Sequence, residues 1–329
     1  MAIKIYKDKI EFIDGANVFT LTETTAGFDL NGTLTADSYT GLFQGEIAGY
    51  TSGGTYGGNT IDKFPFATNA NATDVGDMTR GGYNTAGQSS TVSGYTSGGA
   101  PGSLNIIDKF PFASNANATD VGDLTQARKF VAGQSSTVSG YTSGGFIPPN
   151  SNVIDKFPFA SNANATDVGD MTVTTYGASG QSSPESGYNS SGNAGPPSAP
   201  LANTISKFPF ATDANATDVG DLLAALIYSA GQSSLTDGYV SGGAYVNTIN
   251  KFPFSTNSNA TDVGDLTQPR GGPTGQSSTT SGFSSGGTFP PTSSNRYNTI
   301  DKFPFASNAN ATDHGDLTVT RYSAAGQQD

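Results

Sequence analysis

The chain has 329 residues, of which 34% are hydrophobic and 13% are charged, and 43 are glycines, a composition typical of many short strands joined by tight turns. Its net charge of -12 disfavours nucleic acid and anionic lipid as partners, and the absence of cysteine excludes disulfides, thiolate nucleophiles and cysteine-bound metals. No signal peptide and no run of about 18 apolar residues occurs, so the sequence predicts a soluble protein without membrane insertion.

The first 40 residues contain no copy of the repeat that fills the rest of the chain. Apolar residues alternate with polar ones in this segment, as at Ile3 and Ile5 or at Ile10 and Phe12, and the pair Asp14-Gly15 is a hairpin turn signal. So short a segment buries too little surface to fold alone. We therefore expect residues 1–40 to be a β-strand anchor that folds on another subunit or on a larger particle, and to make the chain a homo-oligomer.

Residues 41–329 contain six copies of one repeat, and each copy carries the markers G-Y/F-x-S-G/S-G, KFPF, GDL or GDM, and GQ. The spacing is fixed: Phe110 and Leu124 stand 14 residues apart, Leu124 and Gln134 stand 10 apart, and the equivalent residues of every copy keep these distances. Only the stretch between the aromatic residue and KFPF varies, from 13 to 20 residues. All length changes are thus confined to one connection.

A repeat of 44 to 51 residues with four short segments is typical of a four-stranded β-propeller blade. We assign strand a to AGQSS, strand b to SGYTSGG, strand c to TIDKFPFA and strand d to ATDVGDL. Aromatic residues such as Tyr95 and Phe110 should fill the space between blades, and the Gln of strand a, Gln88 in one copy, is expected to face the central channel. Pro65 and its equivalents should mark a bulge or the end of strand c, because proline cannot donate a ladder hydrogen bond.

The two ends of the array predict that the ring is closed. The chain enters the repeat at strand b, with residues 48–54, and a sixth AGQ segment ends at Gln327, close to the C-terminus. Residues 321–329 should therefore complete blade one, which removes the exposed strand edges. The sequence predicts an all-β fold in which a β anchor over residues 1–40 precedes a six-bladed propeller of four-stranded blades over residues 41–329.

Two resemblances accompany these patterns. The order of aromatic residue, Gly-Gly, variable loop, aromatic-bearing strand, Leu and Arg, as in residues 141–145, 154–159 and 124–128, resembles the kelch repeat, although the tryptophan of a kelch blade is missing. The sequence segment KFPFASNANATDVGDL resembles repeats in predicted structural proteins of marine tailed phages, cyanophages especially. That resemblance implies a tail, appendage or capsid-associated protein on the surface of a phage particle.

Three features could carry chemistry, but each has a simpler structural explanation. His314, the single histidine, stands where the other five copies have valine. The T-D-x-G-D motif, with Asp74 and Asp77 in one copy, could bind calcium only if a bulge aligned its carboxylates, so a turn is favoured. The Asn-Ala-Thr segments, the first at Asn71, are formal glycosylation acceptors that better suit turns between strands c and d. We therefore expect no enzymatic activity, no cofactor and no bound metal.

Sequence diversity is concentrated on one side of the predicted disc. Antiparallel blades place the b–c and d–a connections on one face, here named the variable face, and the nearly invariant a–b and c–d turns on the other, the constant face. Loops on a rigid scaffold commonly bind partners, and aromatic residues and arginine are enriched at interfaces. The d–a segments supply Tyr83, Phe130, Ile227 and Tyr322 to this face. The residues predicted to bind are Arg128, Phe146, Ile147, Tyr176, Tyr228, Tyr245, Arg270, Phe289, Arg296 and Tyr297.

Together these features predict a non-enzymatic virion structural protein. Residues 1–40 would attach it to other virion proteins, and the variable face would bind a host-surface protein or glycan. A carbohydrate-binding propeller of the lectin type is the alternative, because near-identical blades could form six equivalent sugar pockets. A kelch-like enzyme domain is a third interpretation, which the lack of reactive side chains disfavours.

Overall fold

The computed structural model describes residues 44–56, 58–148, 150–195, 200–289 and 295–329, and the backbone of three strands nearer the N-terminus. All regular elements among these residues are β-strands. None of the described residues belongs to a helix long and apolar enough to cross a membrane. The chain divides into two compact units, Met1–Tyr39 and Thr40–Asp329. The predicted boundary at residue 40 lies outside the described residues.

The first unit contains a three-stranded antiparallel sheet in the order β1–β2–β3. Its strands are β1 (Ala2–Ile5), β2 (Lys9–Asp14) and β3 (Asn17–Thr22). The register places Ile3 opposite Phe12 and Phe12 opposite Phe19. Each strand is therefore hydrogen-bonded to its neighbour in sequence, as short hairpin connections require.

The second unit consists of six four-stranded antiparallel sheets, the blades, and this architecture confirms the predicted six-bladed β-propeller. Blades are numbered along the ring, and their strands are given from inner to outer. Blade 1 contains β27 (Ala325–Gln328), β4 (Ala48–Ser52), β5 (Thr60–Pro65) and β6 (Thr73–Asp77). Blade 2 contains β7 (Ala86–Ser89), β8 (Ser93–Ser97), β9 (Leu104–Pro111) and β10 (Thr119–Arg128). Blade 3 contains β11 (Ala132–Ser135), β12 (Ser139–Ser143), β13 (Val153–Pro158) and β14 (Thr166–Asp170).

The remaining three blades repeat this order. Blade 4 contains β15 (Ser179–Ser182), β16 (Ser186–Asn193), β17 (Leu201–Pro209) and β18 (Thr217–Asp221). Blade 5 contains β19 (Ala230–Ser233), β20 (Asp237–Ser241), β21 (Thr248–Pro253) and β22 (Thr261–Asp265). Blade 6 contains β23 (Thr274–Ser277), β24 (Ser281–Ser285), β25 (Thr299–Pro304) and β26 (Thr312–Asp316). The third strand of every blade ends at its proline, so this residue marks a strand end.

Blade 1 is built from both ends of the repeat array. Its inner strand β27 pairs with β4, and the register places Gln327 opposite Tyr50. Gln327 thus occupies the same position in blade 1 as the equivalent glutamines do in the other blades. The strand covers Ala325–Gln328 rather than all of residues 321–329. The C-terminal strand thereby closes the ring.

The inner strands approach one another so closely that only glycine fits at their centre. A Cβ atom at Gly180 would collide with the carbonyl oxygen of Gly133 in the neighbouring blade, and the equivalent glycines of the ring show the same contact. The adjacent Gln side chains are buried between the blades, where Gln88 Nε2 donates to the carbonyl oxygen of Tyr141 at 2.9 Å. The prediction that these amides face the channel is wrong, because each side chain turns away from the channel to hydrogen-bond with the next blade.

Aromatic residues fill the space between neighbouring blades, as the sequence predicts. Tyr50 of β4 stacks on Phe112 with ring centroids 4.9 Å apart and contacts Phe110 of β9 at 5.5 Å. Ile61 and Met78 of blade 1 belong to the same buried cluster. Each fully buried side chain of this kind stabilises the fold by about 2–3 kcal/mol, so the wedges between blades form the main core.

The Asn-Ala-Thr and T-D-x-G-D segments join neighbouring blades at their outer edges. Asn117 Oδ1 of blade 2 accepts a hydrogen bond from the N–H of Asp77 in blade 1 at 3.0 Å. Within the motif, Asp74 Oδ1 accepts from the N–H of Gly76, and the strand pairing shifts register there, as in a β-bulge. A Cβ atom at Gly76 would lie 2.6 Å from the carbonyl oxygen of Ala116. Glycine is therefore needed so that the next blade can pass over this strand.

Candidate binding site on the variable face

The two variable connections are hydrogen-bonded to each other. The N–H of Tyr83, in the first d–a segment, donates to the carbonyl oxygen of Ala100 in the next b–c loop, and the N–H of Ala100 donates back to Tyr83. Lys129 and Phe146 exchange the same pair of bonds. The d–a and b–c connections therefore form one continuous surface on the variable face.

At the centre of this face, six residues in equivalent d–a positions form a closed belt of backbone hydrogen bonds. Their φ angles lie between 57° and 69°, in the left-handed region. The N–H of each donates to the carbonyl oxygen of the one before it in the ring, over distances of 2.7 to 2.9 Å. The belt residues are Asn84, Phe130, Gly177, Tyr228, Gly272 and Ser323. The backbone of the belt is constant, while its side chains differ.

Two belt positions hold bulky aromatic residues in a strained backbone conformation. Glycine and asparagine adopt a left-handed φ readily, but Phe130 and Tyr228 do so at φ values of 58° and 57°. Such a conformation costs about 1–3 kcal/mol for a bulky residue and persists only where surrounding contacts impose it. The belt imposes it here, and Gly177 and Gly272 show that the fold accepts glycine at the same position. Strain of this kind is concentrated at functional sites.

Beside the belt lies a cavity of about 420 Å³. This volume is within the range of sites that bind small molecules or single side chains. Its lining contains no charged residue, and five of its thirteen residues are aromatic. The lining residues are Thr55, Tyr83, Asn84, Phe130, Ile227, Tyr228, Ala244, Tyr245, Gly271, Gly272, Thr288, Tyr322 and Ser323.

A row of aromatic rings extends from the cavity across the variable face. Phe130 contacts Tyr228 with ring centroids 5.3 Å apart and Tyr176 at 5.7 Å, and Tyr176 contacts Phe146 at 5.6 Å. The Nζ atom of Lys129 lies 5.7 Å from the ring of Phe130 and 5.5 Å from that of Phe146. These rings offer flat apolar surfaces, and the Lys129 ammonium group lies over two of them.

Tyr228, at the end of this row beside the cavity, is neutral. Burial raises the pKa of Tyr228 to about 12, and the neighbouring hydroxyls of Tyr176 and Tyr245 add to this effect. Its hydroxyl group therefore keeps its proton at physiological pH and acts as a neutral hydrogen-bonding group. The cavity is suited to an uncharged ligand or an apolar side chain.

Most residues predicted to bind are part of this surface. Tyr228 and Tyr245 line the cavity, and Phe289 extends it through an edge contact with Tyr245 at 6.4 Å. Arg296 lies farther along the face, with its guanidinium carbon 3.6 Å from the ring centroid of Tyr56. Phe146 and Tyr176 belong to the aromatic row described above, while Ile147 is half-buried in the b–c loop after Phe146 and Tyr297 lies against the side chain of Arg270.

Two predicted residues, Arg128 and Arg270, do not belong to the binding surface. Both are completely buried, and each forms an ion pair at 2.8 Å, Arg128 with Asp155 and Arg270 with Asp301. Their guanidinium groups hold neighbouring blades together and are not accessible to a partner. The prediction is therefore wrong for these two residues, because their N–H groups donate to carbonyl oxygens and a carboxylate of the next blade.

Sequence reasoning missed the small residues of the site, among them Thr55, Asn84 and Ser323. A signal was present, since the six aligned d–a segments carry Asn84, Gly177 and Gly272 at one position. Asparagine and glycine together indicate a left-handed backbone. The remaining members of the belt could have been identified from this position.

The other candidate chemical groups have structural roles. His314 Nε2 lies 2.7 Å from the carbonyl oxygen of Pro65, and its ring packs against Phe64 and Phe283. Burial lowers the pKa of His314, so the ring is neutral at physiological pH. Within the described parts of the chain, no three His, Cys, Asp or Glu residues are grouped so that they could hold a metal ion.

No protein-family model matches the chain, and no curated protein matches it at a significant level. One fold can host many functions, so the propeller alone does not assign one. The function is therefore inferred from the belt, the cavity and the aromatic row of the variable face.

Proposed function

We propose that this chain is a non-enzymatic virion structural protein that binds a host-surface or virion partner through its variable face. The observation that carries the proposal is an aromatic-lined cavity of about 420 Å³ on a ring of six blades with the same strand order. A rigid repeated scaffold with one distinctive concave site is what a binding module requires. Two strained aromatic residues in the belt, Phe130 and Tyr228, add support.

The virion location rests on the resemblance of the KFPFASNANATDVGDL segments to phage structural proteins. Attachment to the particle is assigned to residues 1–40. The first described residues of the propeller unit lie on the constant face: Gln44 Nε2 donates to the carbonyl oxygen of Ser278 at 3.0 Å, and the N–H of Gly45 donates to Ser277 at 2.8 Å. These residues therefore do not occupy the variable face.

Carbohydrate binding is the second candidate, and the chemistry of the cavity favours it. Neutral tyrosines with protonated hydroxyls can stack on sugar rings and hydrogen-bond to their hydroxyl groups. The six belt positions carry five different residue types, so a sugar would occupy the cavity beside Tyr228 rather than six equivalent pockets. This modifies the lectin hypothesis from the sequence without changing its ligand class.

Two experiments test these proposals separately. Immunogold labelling of purified particles of a phage that encodes this chain should place the chain on the particle surface, and particles without the chain would contradict the virion role. A glycan array probed with the purified chain tests the second candidate. Selective binding of one glycan class, lost in a Tyr228→Gly variant, would support carbohydrate recognition, while no binding to any glycan would favour a protein partner.

A further inference from the structure

Three blade interfaces hold a buried guanidinium group in the same way. In the first, Arg128 Nη1 donates to the carbonyl oxygens of Gly144 and Val153, at 3.0 and 2.7 Å. Its Nη2 donates to the carbonyl oxygen of Thr142 at 2.9 Å and to Asp155 at 2.8 Å. These four acceptors and Ser151 Oγ, at 3.3 Å from Nη1, surround a planar, forked donor, which is the geometry that arginine satisfies and lysine does not.

The other two arginines use equivalent acceptors. Arg270 donates to the carbonyl oxygens of Gly286 and Thr299 and to the carboxylate of Asp301. Arg321 donates to the carbonyl oxygens of Thr51, Gly53 and Thr60 and to the carboxylate of Asp62. This set of acceptors, here called the arginine pocket, is therefore a repeated structural feature of the blades.

The interface between blades 1 and 2 has the arginine pocket but no arginine to fill it. Gly82 occupies the position of Arg128, but the four acceptor residues are present as Thr96, Gly98, Ile106 and Asp108. These four residues line a cavity, together with Met78, Arg80, Gly82, Thr85 and Leu104. The Asp108 side chain is only 4% exposed, and Thr79 donates to it through its hydroxyl group at 2.7 Å.

The two remaining interfaces show what happens when no cation is supplied. At one of these interfaces Thr175 stands in place of the arginine and Ser206 in place of the aspartate. At the other, Leu226 stands in place of the arginine and Asn250 in place of the aspartate. A buried carboxylate without a cation is costly, and these two interfaces contain neither the arginine nor the carboxylate. Asp108 has kept its carboxylate, and burial raises its pKa. An external cation would account for this difference.

We propose that the Asp108 pocket receives the guanidinium group of an arginine side chain from a partner bound at the variable face. The pocket offers the same acceptors that hold Arg128, and the residue that would fill it is a glycine. Arg80 at the rim is exposed, and its charge lowers the pKa of Asp108 against the larger effect of burial. Among the described residues, however, Arg80 forms no direct ion pair with Asp108. A net charge of -12 favours a partner that carries basic residues.

Guanidinium chloride at low millimolar concentration is the probe, applied to the full chain with sodium chloride and methylammonium chloride as controls. Wild type, Asp108→Asn and Gly82→Arg are compared by titration calorimetry and thermal unfolding. The Gly82→Arg change is sterically feasible, since a Cβ atom at Gly82 would lie 3.4 Å from its nearest neighbour, the terminal methyl of Met78. This variant should fill the pocket with its own arginine.

The expected result is one guanidinium site in wild type that both substitutions abolish and that methylammonium does not occupy. At ten times the dissociation constant, guanidinium should raise the melting temperature of wild type by about 2 °C relative to Asp108→Asn. No binding to wild type, or equal binding to Asp108→Asn, would overturn the proposal. Binding that appears only in an Arg80→Gln variant would also overturn it, because Arg80 would then be the natural occupant.

Discussion

Arg321 donates to the carboxylate of Asp62 at 2.8 Å, and both side chains are buried. Arg321 belongs to the last d–a segment of the chain and Asp62 to β5 in blade 1, so this ion pair spans the junction at which the ring closes. Thr318 donates to the same carboxylate at 2.7 Å. The junction is thus held by side chains as well as by the pairing of β27 with β4.

Replacing Arg321 with leucine should leave Asp62 as an uncompensated buried charge. The free energy of unfolding is expected to fall by about 3–5 kcal/mol at pH 7, measured by urea denaturation. The double variant Arg321→Leu with Asp62→Asn should recover most of this loss, because the chain itself uses Leu226 and Asn250 at the equivalent positions. A double variant no more stable than the single one would show that the ion pair is not the cause.

Asp108 should make the stability of the free chain depend on pH. Burial raises its pKa above the unfolded value, so the folded state binds the proton more tightly. This contribution to stability is complete below the unfolded pKa of about 3.9 and is lost as the pH rises through the folded pKa. We expect Asp108→Asn to be more stable than wild type at pH 7 and to lose that advantage near pH 4.

Asp155→Asn is the matched control for this experiment. It removes the partner of Arg128, so it should destabilise the chain at pH 7 by about 3–5 kcal/mol. Urea denaturation of both variants across the pH range makes the comparison. If both substitutions changed the unfolding free energy equally, the Asp108 carboxylate would be paired with a cation of this chain, as the Asp155 carboxylate is with Arg128.

The glycine ring at the axis should be intolerant of any side chain. Gly180→Ala places a methyl group against the carbonyl oxygen of Gly133, and the inner strands cannot separate without opening the ring. We expect a loss of about 2–3 kcal/mol or more in unfolding free energy. Gly81→Ala, whose Cβ would lie 3.5 Å from its nearest neighbour, should change stability little. Similar melting temperatures for the two variants would argue against this packing.

The N-terminal sheet should govern assembly. In the described part of the first unit, β1 and β3 each pair on one side only, and such strand edges tend to pair with other chains. We expect a truncated chain that begins at Tyr39 to be a folded monomer, and the full-length chain to form oligomers, by light scattering. If both are monomeric and the truncated chain still joins the particle, the propeller is the attachment surface.

The propeller could be predicted from the sequence because its determinants are local and repeated six times. Fixed distances between Phe110, Leu124 and Gln134 define the blade, and the phase of Gln327 defines its closure. Side-chain directions were harder to predict, since Gln88 and Arg128 each bind acceptors in the next blade. Local patterns do not show such partners, although the joint occurrence of arginine and aspartate across the copies contains this information.

The belt was hidden from sequence analysis for a different reason. Phe130 and Tyr228 are bulky residues that disfavour a left-handed backbone, so nothing local predicts that they adopt one. The closed ring of hydrogen bonds determines their conformation, and it exists only when all six blades are assembled. The cavity beside them depends on the same assembly.

Tyr228→Gly offers a direct test of the central claim, because two other blades already have glycine at this position. Relief of the backbone strain should offset part of the lost packing, so the unfolding free energy is expected to change by no more than about 1 kcal/mol. Val138→Ala is the matched control, since Val138 is exposed on an a–b turn of the constant face.

The decisive measurement for the proposed function is the binding of the fluorescently labelled chain to intact cells that a phage encoding this chain infects. Wild type and Val138→Ala should bind equally, and Tyr228→Gly should bind at least about tenfold more weakly, as expected for an aromatic residue at the centre of an interface. Equal binding by Tyr228→Gly and wild type, or a loss of binding in Val138→Ala, would contradict the assignment of the variable face as the binding surface.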